Sequence, residues 1–118
     1  MSNFDYYYFR QSEQFAFYRI SKVLFTDERF ASLSSCSKVL YGLMLDRMTL
    51  SRKNNWIDKL GRVYIYFTLD EVMQHLHCAR EKANCLVSEL DSRGIGLIET
   101  KRQGLGKANI IYVKDFTS

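Results

Sequence analysis

The 118 residues predict an α+β domain, mainly helical, with a β-hairpin at its C-terminal end. Three observations carry this expectation. A long apolar helix pattern leads into one strand pattern; two shorter amphipathic helix patterns follow with a very tight turn between them; two β-rich runs then enclose a basic glycine loop.

The opening, MSNFDYYYFRQSEQFAFYRI, holds Tyr6, Tyr7, Tyr8, Phe9, Phe15, Phe17 and Tyr18, too many aromatics for a solvated tail. Phe15, Phe17 and Arg19 alternate with Ala16, Tyr18 and Ile20, the pattern of a short extended segment. Two fates fit it: packing on the core, or an arm reaching a second subunit. Residues 1–14 are read as the arm and 15–118 as the domain. SSCSKVLYGLMLDRMTLS starts with serines suited to capping and continues with Val39, Leu40, Leu43, Met44, Leu45 and Met48, which wrap past a single stripe. Such a helix is either central to the core or covered in part by a partner chain. NNWIDKLGRVYIYF reads as a turn-rich connection in which Gly61 leads into a strand over 63–67.

In TLDEVMQHL, Thr68 and Glu71 have capping-box spacing, and Leu69, Val72, Met73 and Leu76 recur at i, i+3, i+4 and i+7. The same period restarts after His77 and Cys78 in AREKANCLVSELDSRG, with Ala79, Ala83, Leu86, Val87 and Leu90 on one face and Gly94 at the expected C-terminal cap. Residues 97–100 and 110–113 make the two final strands. Helix, strand, helix, tight turn, helix, hairpin is the order of a winged helix-turn-helix, in which the second helix of the pair enters the DNA major groove and the hairpin touches the flanking backbone.

Composition leaves room for that function and narrows others. The chain is 47% hydrophobic and 25% charged, so it can bury a core, and its net charge of +4 fits a polyanion partner. Three cysteines, at 36, 78 and 85, cannot pair completely, which points to a reducing, cytoplasmic compartment. No apolar stretch approaches the roughly 20 residues that cross a bilayer, and no membrane partner is expected. His75, His77, Cys78 and Cys85 match no paired metal-ligand spacing, so neither a metal nor a cofactor is expected; nothing marks a catalytic pocket, and the expectation is a binding module and not an enzyme.

With Ala83, Leu86, Val87 and Leu90 inward, about 100° per residue turns Glu81, Cys85 and Ser88 outward and puts Arg80, Lys82 and Asn84 on the shoulders. Arg and Lys match guanine O6 and N7, and Asn matches adenine N6 and N7, so Arg80, Lys82 and Asn84 are the candidate base readers, with Cys85 and Ser88 weaker. Glu81 is assigned either to capping at the Cys78 position or to a cytosine amino group. In ETKRQGLGKANIIYV, Lys101, Arg102, Gln103 and Lys107 are the candidate backbone contacts. The glycine loop there is no nucleotide cradle. A phosphate-binding loop needs a helix N-terminus after it, whereas IIYV is a β-branched run, so Gly104 and Gly106 are read as a hairpin tip.

From residue 15 onward the chain resembles the N-terminal domain of RepA-type replication initiators of plasmids from low-G+C Gram-positive bacteria. The likeness runs through FYRISKVLFTDERFASLSSCSKVLYGLMLDRMTLS, NNWIDKLGRVYIYFTLDEVMQHLHCAREKANCLVSELD and GIGLIETKRQGLGKANIIYVKDF, with LFTDERF, LYGLMLDRM and RQGLGKANIIYVK its most specific strings. The resemblance implies a winged helix that binds double-stranded DNA repeats in a plasmid origin, as a homodimer, within a longer initiator that can recruit host replication proteins. CAREKANCLVSEL corresponds to the recognition helix and KRQGLGK to the wing. Two departures stand out: Ser21 occupies a position where the family has proline, which is expected to loosen that turn, and SSCSK replaces a more acidic helix start, which is expected to weaken its cap. The alternatives are a winged-helix transcriptional repressor or autoregulator using the same surfaces, and a protein-interaction winged helix for replisome assembly.

Overall fold

A computed structural model of the chain describes residues 3, 4, 6 and 16–117. Its elements are α1 (Val23–Thr26), a 3-10 turn (Glu28–Phe30), α2 (Ser35–Asn54), β1 (Tyr64–Ile65), α3 (Leu69–Leu76), α4 (Arg80–Leu90), β2 (Ile98–Lys101) and β3 (Ile110–Val113). The helix-turn-helix is α3–α4 and the wing is β2–β3, as the order of patterns predicts. No helix among the described residues is long and apolar enough to cross a membrane.

Twenty residues make α2 about 30 Å long, and it is the axis of the core. Leu40, Tyr41, Leu43 and Met44 are buried from several sides by α1, α4 and the sheet, so of the two fates open to an all-round apolar helix the central one holds. Its cap corrects an expectation. Ser34 Oγ accepts the Ser37 N–H at 3.2 Å, and the acid that this helix start lacks arrives from α4: the Glu89 carboxylate takes the Ser34 N–H at 2.8 Å and the Ser34 hydroxyl at 3.0 Å, with Ser37 Oγ 3.1 Å away. A carboxylate beside free amides at a helix N-terminus is favourable on both hydrogen-bond and dipole grounds. Ser21 is likewise held, because its Oγ accepts the Val23 N–H at 3.2 Å. The α1 and 3-10 turns, which no pattern announced, form because Leu24, Phe30 and Leu33 are all drawn into the core within ten residues.

The strand expected over 63–67 is shorter. Ile57 and Val63 bridge around the Asp58 turn, only Tyr64 and Ile65 extend the ladder, and Phe67 is buried as the chain enters α3. Those two residues pair with Tyr112 and Ile111, so the terminal hairpin gains a third strand and the antiparallel sheet runs β1–β3–β2. Arg47 binds α2 to this junction. It donates to the Tyr66 carbonyl at 2.7 Å, pairs with Glu71 of α3 and lies over the Phe67 ring at 4.7 Å.

The α3 start is the expected capping box, Thr68 with Glu71. At its end His77 takes the left-handed conformation (φ 51°), which lets α4 begin three residues later. Two expectations for α4 change. Ala79 is exposed and precedes the helix as its N-cap, with no side chain able to cap, and Glu81 stays exposed without capping it. The helix ends at Leu90 with Asp91 as its cap; Gly94 lies beyond, where an added Cβ would stand 2.2 Å from the Glu89 carbonyl oxygen.

The aromatic opening behaves unlike a core segment. Tyr7, Tyr8, Phe9 and Phe15 lie outside the described residues; Phe4, Tyr6, Phe17 and Tyr18 are all exposed. Residues 19–20 cross α2 at Gly42, where an added Cβ would meet Ile20 Cγ1 at 3.0 Å and the Arg19 carbonyl oxygen at 3.1 Å.

Burial opposes ionisation of Asp58, Glu71 and Glu89, but hydrogen bonds win in each. Asp58 accepts from Arg62, Tyr112 and Leu60, Glu71 from Arg47 and Thr68, and Glu89 from Ser34 and Ser37, holding all three below the usual carboxylate range. Burial and the Asp115 charge push the Tyr41 phenol up to about 12, against a backbone hydrogen bond that lowers it. The lowered carboxyls contribute stability that is full above the unfolded carboxyl range near pH 4 and lost as pH falls below it. The raised phenol contributes stability full below about pH 10 and lost as pH rises towards 12. Thermal melts across pH are therefore expected to show a plateau with losses at both ends. In urea titrations Glu89→Ala is expected to cost about 1–3 kcal/mol, by stranding the Ser34 donors, and to flatten the acid limb.

Candidate nucleic-acid interface

The outer face of the first two turns of α4 is open to solvent. Ala83, Leu86 and Leu90 are buried against α2 and α3, while Arg80, Glu81, Lys82, Asn84 and Cys85 are exposed and Ser88 is half-buried. Helical spacing divides this surface. Asn84, Ser88 and Asp91 line the side of α4 that faces the wing; Lys82, seven residues before Glu89, lies on the opposite edge, close enough for its charge to help keep the Glu89 carboxyl ionised. Glu81 and Cys85 occupy the crest between them.

Arg80 is at the expected place but already has a partner. Its guanidinium pairs with Asp70 of α3 at 3.1 Å, both side chains being largely exposed. An exposed pair of this kind is worth about 0–1 kcal/mol, so Arg80 is preoriented by α3 and cheaply released to a stronger anion.

The wing sorts its cations by strand parity. Thr100 shares a face with the buried Ile98, whereas Glu99 and Lys101 point to the other face, where Glu99 pairs with Lys114 at 3.5 Å. Arg102 continues the Thr100 side and lines the same space as Asn84 and Ser88; Lys101 does not. At the tip Gly104 (φ 125°) and Gly106 (φ 76°) adopt backbone that other residues rarely take, and Lys107 N–H closes the turn on the Gly104 carbonyl at 3.2 Å. Between the glycines Leu105 is fully exposed. Gln103 is partly committed to this loop, since its amide donates to the Ala108 carbonyl at 2.8 Å.

α4 and the wing enclose a cleft of about 510 Å³. Asn84 and Ser88 line one side, Thr100, Arg102 and Asn109 the other, and Arg93 also lines it. The sequence reading missed Arg93, Asn109 and Asp70 as members of this region. Period-two parity was the available signal for separating Arg102 from Lys101; nothing in the local sequence marks the other three. His75 is spent elsewhere, with Nδ1 2.8 Å from the Glu71 carbonyl oxygen and its ring near Phe67.

A tightly turned helix pair that presents the outer face of its second helix to solvent, beside a glycine-tipped basic hairpin, defines the class: a winged-helix domain. Residues 16–118 match the family described as Replication initiator protein A (RepA) N-terminus, and the chain belongs to that family. Among solved structures it is similar to one described as the N-terminal domain of a DNA binding protein (34% identity, TM-score 0.76, covering 94% of this chain and 83% of that one). A structure of a Rep–DNA complex is equally similar (34%, TM-score 0.76, 94% and 84%), and one of an MDR initiator is close behind (30%, TM-score 0.73, 94% and 86%). A 41 kDa protein of Lactobacillus helveticus is 33% identical over 93 residues, 79% of this chain; the match spans 26% of that relative's length.

Replacing Asp70 by Asn tests the Arg80 arrangement. Unfolding free energy is expected to change by less than about 1 kcal/mol, while affinity for any duplex rises, because a carboxylate competing with phosphate is removed.

Proposed function

We propose that this chain binds double-stranded DNA at repeats in a plasmid replication origin, as the N-terminal part of a longer initiator. One observation carries the reading: the Asn84 and Ser88 side of α4 and the Thr100 and Arg102 side of the wing line a single cleft, so helix and hairpin stand side by side as a duplex needs if the helix is to lie in its major groove and the hairpin on its backbone. Likeness to a structure of a Rep–DNA complex supports it. In this reading Arg80, Lys82 and Asn84 meet base edges, with Cys85 and Ser88 beside them, and Lys101, Arg102, Gln103 and Lys107 meet phosphates. The domain acts in the cytoplasm as a binding module with no catalytic step, and recruitment of host replication proteins falls to the rest of the initiator. A footprint on a promoter in place of the origin would instead make it a repressor.

Self-association belongs to the same proposal. Phe17, Tyr18, Ile20, Val23 and Phe25 are exposed along one run of chain, beside a shallow groove in which Phe17 and Arg19 face Gly42, Leu45, Asp46 and Thr49 of α2. Exposed aromatic and aliphatic side chains along one run of chain fit a homodimer contact, and a homodimer would set the spacing of two half-sites.

Two measurements test the proposal. Arg80→Ala is expected to relax discrimination at one base position by about 1–3 kcal/mol, whereas Lys107→Ala weakens origin and random duplexes alike; equal effects of both changes on both duplexes would overturn the division of roles. Sedimentation at micromolar concentration is expected to give a dimer that Phe17→Ser with Phe25→Ser dissociates, and a wild-type monomer would refute it.

A further inference from the structure

Arg93 has no place in the functions assigned so far, yet its position is unusual. It lies in the turn after α4, outside helix and wing, and lines the cleft together with Arg102. Arg29, Arg47, Arg62 and Arg80 are each paired with a carboxylate; Arg93 and Arg102, like Arg19 and Arg52, form no ion pair among the described residues, and of these four only Arg93 and Arg102 line the cleft. Asp91, the one acid lining the cleft among the described residues, is turned to backbone amides, accepting from Ser92 N–H at 2.7 Å and Thr100 N–H at 3.3 Å. Thr100, also lining the cleft, has its Oγ1 buried with no hydrogen-bond partner among the described residues.

We infer that the cleft between α4 and the wing is a backbone seat, in which Arg93 and Arg102 hold consecutive phosphates of one DNA strand. The inference rests on the DNA-binding reading and deepens it. Two planar guanidiniums across a concave surface suit phosphodiester oxygens, which each can engage with two donors, and Asn84, Ser88 and Asn109 offer uncharged donors between them. A strand seated there would fix how far α4 enters the major groove, so Arg93 positions the reading helix without touching a base. Lys101, on the far face of the wing, takes no part in the seat.

The test is a salt series of duplex-binding titrations with the 118-residue chain, on its own origin repeats and on random duplex. Arg93→Ala and Arg102→Ala are each expected to make the log–log salt slope shallower by about 0.9 on both duplexes. Arg93→Lys, which keeps the charge, and Lys22→Ala, which removes a charge at the N-cap of α1 outside the cleft lining, are expected to retain the wild-type slope. An Arg93→Ala slope equal to wild type overturns the seat and leaves the DNA-binding reading standing. An effect confined to origin repeats also overturns it, because Arg93 would then be reading bases. Wild-type chain that binds neither duplex removes the DNA-binding reading itself.

Discussion

One carboxylate ties α4 to the start of the central helix. Glu89 sits on the buried-side edge of α4 and spends its oxygens on the N-terminus of α2, meeting the Ser34 amide and the Ser34 and Ser37 hydroxyls. Packing of Ala83, Leu86 and Leu90 fixes how close α4 lies to the core, but apolar contacts are non-directional and tolerate rotation. A charge-assisted hydrogen bond is directional, and here it joins the end of α4 to the start of the helix on which everything else packs. Rotation of α4 about its axis would break it, so the same bond that caps α2 reinforces the rotation of α4 that its apolar face sets.

Around that anchor three further contacts have a common form: a side chain from α2 satisfies a backbone carbonyl on a neighbouring segment. Arg47 reaches the Tyr66 carbonyl, Ser51 the Tyr64 carbonyl at 2.7 Å and Tyr41 the Lys114 carbonyl at 2.6 Å. Each ties β1, or the chain leaving β3, to the central helix where the short strands leave acceptors unpaired, and unpaired buried acceptors are costly. The wing is thereby rooted in α2 at its base while its tip extends into solvent. A rigid base and a glycine-hinged tip suit a hairpin that must lie against a partner of fixed shape.

Much of the site could be read along the chain. The capping box at Thr68, the restart of the helical period after Cys78 and the β-branched run after the glycine loop are local signals, and local hydrogen bonding enforces them. The aromatic opening could not be read this way. Aromatic residues usually pack, yet Phe17 and Tyr18 lie exposed, because the core is closed by α1 and the 3-10 turn before the arm is needed. The missing acid at the α2 start had no local signal either, since its replacement comes from 55 residues further on.

By itself the sequence determined the kind and order of the elements, the face of α4 that is apolar, and the cluster of cations in the wing, because these follow from periodicity and from dihedral preferences within a few residues. Tertiary structure decided which of those cations share a space. Arg80 is paired with α3, and Arg93 and Arg102 line one cleft. Those relations join residues of different elements through strand pairing and helix packing, and no spacing along a single chain encodes the distance between them.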